Sequence, residues 1–200
     1  MKKFLLILLS IFTFNNNIYA KEANMNKSLV VYFSRSGNQY NGNVKKGNTA
    51  IVADIIANEV NGDKFEIQLQ NDNYPDDYEQ MTEVAKKELK EQIRPQIKPF
   101  DGNIDDYDTV FIGYPIWWGD MPMAVYSFLE EYNLKDKTIV PFCTHGGSGL
   151  SGTDRNIKDA TSSSSVLKGL ALYGSDTQSD FDGTQKKVKN WLKNIGLKNE

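Results

Sequence analysis

The chain has 200 residues, 40% of them hydrophobic, with a formal net charge of −3. That is enough apolar material for one domain with its own core, and the negative balance argues against nucleic acid and anionic membrane surfaces as partners. Cys143 is the only cysteine, which rules out an internal disulfide.

Lys2-Lys3 precede an apolar run from Phe4 to Phe14, broken only by Ser10 and Thr13; Asn15-Asn16-Asn17 and Ile18-Tyr19-Ala20 follow. A basic start, a short apolar stretch and a small residue at the cut describe a secretory signal peptide. As a helix the run reaches only ~16 Å, too short for a ~30 Å hydrocarbon core. The expected organisation is a signal peptide over 1–20, a short linker over 21–27 and one domain over 28–200. The mature chain is expected to be exported, periplasmic or extracellular, with no stable membrane insertion. Without Lys2 and Lys3 it holds 21 basic against 26 acidic residues, a net of −5. That charge suits docking on basic partners, or plain solubility.

The first predicted strand is Leu29-Val30-Val31-Tyr32-Phe33, which stops at Ser34-Arg35-Ser36-Gly37-Asn38. A polar insert, Gln39 to Gly47, separates it from a helix through Ala50–Ala57, with Thr49 as the natural N-cap. Lys64 to Leu69 alternates as a half-exposed strand, and Asn71 to Asp77 is a polar turn. Tyr78 to Ile93 has helical spacing and ends before Pro95. Thr109 to Gly113 is a buried strand, Met123 to Tyr132 a helix and Lys137 to Cys143 another strand. Gly152 to Thr161 is a candidate helix, Ser162 to Ser165 a turn, Val166 to Tyr173 a last strand and Gln185 to Ile195 a closing helix. Five strands alternating with helices predict an α/β fold, a doubly wound parallel sheet between two helical layers.

In such a sheet ligands gather at the carboxyl ends of the strands. Three strand ends here are unusual. Ser34 to Asn38 with Asn48-Thr49 forms an oxyanion cradle of hydroxyls, main-chain N–H groups and a helix start. Gly42 to Thr49 nearly spells a nucleoside-triphosphate loop, but Asn48 stands where its lysine belongs, and the dinucleotide fingerprint G-x-G-x-x-G is missing. A neutral nest for one terminal phosphate is the remaining functional reading; an ordinary polar turn is the structural one. Pro115-Ile116-Trp117-Trp118-Gly119-Asp120 follows a buried strand. Adjacent tryptophans on a loop cannot both point inward, so one is expected to offer its face to a planar aromatic ligand unless both indoles cap the core. Thr144-His145-Gly146-Gly147-Ser148-Gly149 lets main chain approach a ligand. His145, the single histidine, either bonds a ligand edge or caps the following helix, and Cys143 reads as an inert core thiol. No grouping has metal-ligand spacing.

Those three segments, in this order, resemble the phosphate loop and the two isoalloxazine loops of the flavodoxin family, in the form of its bacterial flavodoxin-like branch. The resemblance spans about Ser28 to the last helix. It implies strand order 2-1-3-4-5, noncovalent FMN and electron transfer with redox partner proteins. It implies FMN contacts from Ser34, Arg35, Ser36, Gly37, Asn38, Asn48, Thr49, Pro115, Ile116, Trp117, Trp118, Gly119, Thr144, His145, Gly146, Gly147, Ser148 and Gly149. Gly119-Asp120 matches the peptide that turns over beside the flavin N5 on reduction, and Asp120 is a candidate for lowering the potential. Three features depart from the pattern. The insert splits the phosphate loop, so that either Asn38 or Asn48 is the matching asparagine, and brings Lys45 and Lys46 close. The second ring loop lacks a covering tyrosine, which leaves the outer flavin face open or covered by His145. No twin-arginine pair precedes Phe4. The alternative function is a small FMN-dependent NAD(P)H:quinone-type reductase; a third is a flavin-free binding module on the same fold.

Overall fold

The computed structural model describes residues 27–40, 42–161 and 164–198. The signal-peptide segment and part of the serine turn lie outside the described residues. Strand β1 (Ser28–Tyr32) sends Leu29 and Val31 into one core and Val30 and Tyr32 into the other. Neither face of it meets water, which is why its sequence is unbroken apolar rather than alternating. A short hairpin follows, β2 (Gly37–Gln39) with β3 (Gly42–Val44), where the sequence suggested only a polar insert. Then come α1 (Asn48–Val60), β4 (Asp63–Glu66), α2 (Tyr78–Glu91), β5 (Thr109–Pro115), α3 (Met123–Glu131) and β6 (Thr138–His145). The chain continues through α4 (Thr153–Ala160), β7 (Ser165–Val166), β8 (Leu170–Tyr173), α5 (Gly174–Ser179) and α6 (Phe181–Asn194).

All pairings in the main sheet are parallel, in the order β4-β1-β5-β6, with β7 and β8 both paired to β6 on the far edge. This is the implied 2-1-3-4-5 order with its fifth strand in two pieces. Helices α1 and α6 cover one face through Val52, Ile56, Val188 and Leu192. Helices α2, α3 and α4 cover the other through Met81, Val84, Phe128 and Ile157. Among the described residues no helix is long and apolar enough to cross a membrane.

Several boundaries differ from expectation for identifiable reasons. The second strand ends at Glu66 instead of Leu69 because β1 turns away at Ser34; residues 68–70 pair with 96–98 instead. The last strand breaks because Pro141 of β6 has no N–H to offer: β7 pairs with Thr138 and Ile139, and β8 resumes at Phe142. Gly47, not Thr49, is the N-cap of α1. Helix α6 starts four residues before Gln185, where Asp180 accepts from the Gly183 N–H at 2.9 Å. Helix α5 carried no sequence signal that was read.

Gly113 lets two central strands approach. A Cβ there would stand 2.0 Å from the ring tip of Phe142, which is fully buried. Gly113→Ala is expected to cost about 1–3 kcal/mol by overpacking, lowering the melting temperature by roughly 2–12 °C. Phe142→Leu in the same chain should recover part of the loss. Circular dichroism melts of the three variants check this; an unchanged Gly113→Ala melt would contradict the packing.

Candidate functional site

The carboxyl ends of β1, β5, β6 and β8 share one edge of the sheet, and the three predicted segments meet there. The split loop closes through Gly47, which is buried. A Cβ on it would lie 2.2 Å from Ser34 Oγ and 2.4 Å from the Arg35 carbonyl. Only glycine lets the return arm of the insert lie against the strand end. Ser34 Oγ accepts from the Ala50 N–H at 3.1 Å, so the third residue of α1 is capped from across the insert. Among the described residues, nothing accepts from the main-chain N–H groups of Asn48 and Thr49. They form a donor pair at the positive end of a 13-residue helix.

Side chains around the nest hold it in place. Asn48 turns its amide outward: its Oδ1 accepts from Thr177 Oγ1 at 3.2 Å and from Gln178 Nε2 at 2.8 Å, and Gln178 also donates to the Lys46 carbonyl. Helix α5 therefore braces the return arm of the loop, a role missed from sequence because Thr177 and Gln178 lie about 130 residues away. Thr49 is buried, and its hydroxyl pairs with Thr144 Oγ1 at 2.8 Å, joining α1 to the end of β6. That bond replaces the capping role expected of Thr49. Asn38 belongs to the hairpin: its amide donates to the Asp76 carbonyl and its Oδ1 accepts from Asn43. Asn48 is thus the asparagine at the nest. Gly37, with φ of +85°, opens the hairpin, and Ser36 beside it is exposed.

Two cations beside the nest are drawn off. Arg35 donates to both carboxylate oxygens of Asp72 at 2.8 and 3.0 Å and lies 5.0 Å over the Tyr74 ring. Lys46 pairs with Asp54, which also holds Lys64 at 2.6 Å. The nest is left to main-chain donors and the helix dipole.

The tryptophan loop is a tight turn. Trp117 and Asp120 exchange both main-chain hydrogen bonds, and the two residues between them, Trp118 and Gly119, have φ of +53° and +83°. Positive φ at both central residues is the type I′ pattern, unusual for tryptophan. The indoles diverge as adjacency requires. Trp117 packs edge-on against Phe33 at 5.4 Å, while Trp118 is 51% exposed. Trp118 is nonetheless anchored: its Nε1 donates to the Thr82 carbonyl at 2.7 Å and Lys86 lies 4.6 Å over its ring. Asp120 faces inward, accepting from the Met121 N–H, Tyr126 and Asn156, which ties this loop to α4. Its carboxylate is therefore part of the joint between this loop and helices α3 and α4. Pro115 ends β5, and Ile116 donates to the Thr144 carbonyl at 2.8 Å.

In the third segment His145 Nδ1 accepts from the Gly147 N–H at 2.9 Å. Burial lowers the pKa of this imidazole, against a smaller opposing pull from Asp176. The neutral ring then carries its proton on Nε2. His145 also packs 4.6 Å from Tyr173, a half-exposed residue at the end of β8 that the sequence reading did not single out. Around Gly146, Gly147 and Gly149 a Cβ would meet only open space, with Ser148 exposed between them. Burial pushes the Cys143 thiol up to about 12, and its Sγ donates to the Gly149 carbonyl at 3.5 Å. It is an inert strut, as expected.

The sequence profile of the flavodoxin family matches residues 27–195. A protein from Bacteroides eggerthii described as a flavoprotein is 31% identical, over 86% of this chain and 99% of its own, with a TM-score of 0.67. A second, from Bacteroides uniformis, is 29% identical over 84% and 98%, with a TM-score of 0.65. A flavoprotein from Lactobacillus acidophilus, solved in complex with FMN, is 19% identical over 78% and 98%, with a TM-score of 0.61. No curated protein matches the sequence. Profile and fold agree with the nest and the two loops at the sheet edge: the chain belongs to the flavodoxin family.

Proposed function

We propose that the chain binds FMN noncovalently at this edge and carries electrons between protein partners after export. The observation that carries the reading is the nest at the start of α1. Its two N–H groups, without an acceptor among the described residues, and its helix dipole match one terminal phosphate dianion, and Arg35 and Lys46 beside it are already paired. The chemistry of this donor set fits a single phosphate better than a triphosphate, which calls for a lysine. The FMN bound by the Lactobacillus acidophilus relative supports the choice of flavin.

In this reading Ser36 and the main chain of Asn48 and Thr49 hold the phosphate, with Ser34, Arg35 and Gly47 shaping the loop. Pro115 to Gly119 and Thr144 to Gly149 flank the ring. His145 has an Nε2–H to donate to a ring acceptor, because Gly147 occupies its Nδ1. Gly119 gives the peptide next to Asp120 freedom to turn over. FMN, when bound, supplies the one- and two-electron redox chemistry. The acidic mature surface suits a basic redox partner.

Gly47→Ala is expected to force the two arms of the loop apart. FMN affinity should fall at least about tenfold, ~1.4 kcal/mol, while riboflavin affinity changes little. Fluorescence titrations with both ligands check this; equal losses would contradict the phosphate assignment. The holoprotein should oxidise NADH and NADPH no faster than free FMN does. Rapid turnover would assign the reductase function instead, which the open space around Gly146, Gly147 and Gly149 favours. Exported protein should begin near Lys21 by N-terminal sequencing, and a secreted chain retaining Met1 would contradict cleavage near Ala20.

A further inference from the structure

The loop between β4 and α2 reads in the sequence as a polar turn, yet Tyr74 within it is only 7% exposed. Its ring stands edge-on to Trp117 at 5.6 Å and to Phe33 at 6.5 Å, while Phe33 and Trp117 are edge-on to each other at 5.4 Å. Three mutually perpendicular rings make a closed triangle in which none turns without displacing the others. Phe33 leads into the phosphate nest and Trp117 begins the first ring loop, so Tyr74 is wedged between the two arms of the proposed flavin site. Its hydroxyl donates to Glu88 Oε2 on α2. Its own N–H donates to Asp72 at 3.2 Å, and Asp72 holds the Arg35 guanidinium that covers the Tyr74 ring.

A phenylalanine would fill the same apolar space without requiring a half-buried carboxylate beside it, which is costly to desolvate. What the hydroxyl adds is an anchor: it fixes the tip of the ring relative to α2. We propose that Tyr74, held by Glu88, is the positioning residue that sets the Trp117 loop, and that the protonation of Glu88 is transmitted to that loop. The proposal rests on the flavin reading for its consequence but not for its mechanics.

A cavity of about 280 Å³, lined among others by Leu69, Val84, Glu88 and Pro95, opens onto the tyrosine–glutamate pair and admits water to it. Burial raises the Glu88 carboxyl above the ordinary glutamate range, with the Tyr74 hydroxyl pulling the other way. Of the groups around the pair, Arg35 lies over the Tyr74 ring from the β1 loop, and Asp72 comes from the same loop as Tyr74. Those two are bound to each other. Glu88 is then the group whose titration changes the pair. As pH falls through its raised value, the carboxylate becomes a weaker acceptor and the Tyr74 ring is released.

The experiment uses the full chain labelled with 5-fluorotryptophan, whose three resonances are assigned by single tryptophan-to-phenylalanine changes. Tyr74→Phe and Glu88→Gln should each shift the Trp117 resonance and leave that of Trp191, on the opposite core, in place. In the unchanged chain Trp117 should titrate with a midpoint above the ordinary glutamate value, and Glu88→Gln should abolish that titration. Both variants should weaken FMN and riboflavin alike, by roughly two- to tenfold, the size of one aromatic contact. A Trp117 resonance that neither shifts in the variants nor titrates would overturn the proposal, whether or not flavin binds. Failure of the unchanged chain to bind FMN would instead count against the flavin reading and leave the fluorine result to decide this one. Equilibrium melts of both variants separate a local shift from unfolding.

Discussion

One backbone contact organises this site: Gly47 lying against Ser34 and the Arg35 carbonyl. An insertion of about ten residues would ordinarily break a phosphate loop. Here it leaves as a hairpin and returns through a residue without a side chain, so that the strand end and the helix start meet as if contiguous. Ser34 then caps α1 from the far side of the insert, and the Asn48 and Thr49 N–H groups have no acceptor among the described residues. The Thr49–Thr144 bond carries the same geometry to β6, which positions the loop from Thr144 to Gly149.

The electrostatics follow from that closure. A lysine of the polar insert and the arginine that precedes it could have made the nest a general anion trap. Asp54 takes up Lys46, and Asp72 with the Tyr74 ring takes up Arg35, each from an element packed beside the loop. What faces a ligand is a helix dipole and oriented N–H groups, which discriminate by shape and by the single terminal charge. The cost of ordering these donors is met in folding, not at binding.

Much of this was legible in the sequence because it is local. The apolar run of β1, the short core strand at Thr109 and the helical spacings after each announce a parallel sheet, and the family resemblance supplied its order. The divergence of Trp117 and Trp118 followed from adjacency alone. What stayed hidden depends on partners distant in the chain. Thr49 looks like an N-cap until β6 places Thr144 beside it. Asn38 and Asn48 are indistinguishable until α5 claims one and the Asp76 carbonyl the other. The break in the last strand was written in Pro141, but it affects a neighbour rather than its own strand. Tyr74 sits among asparagines and aspartates, so composition marks its loop as surface, while two other rings and a carboxylate draw it into the core.

The central claim is that a terminal phosphate sits as a dianion in the nest at the start of α1. Phosphorus NMR of the protein with bound FMN, followed from about pH 5 to pH 8, tests it most directly, because a free phosphate monoester titrates near pH 6. The account predicts a bound resonance that stays constant across the range, held in its doubly charged form by the Asn48 and Thr49 N–H groups. A bound resonance that moves with pH as free FMN does would contradict it.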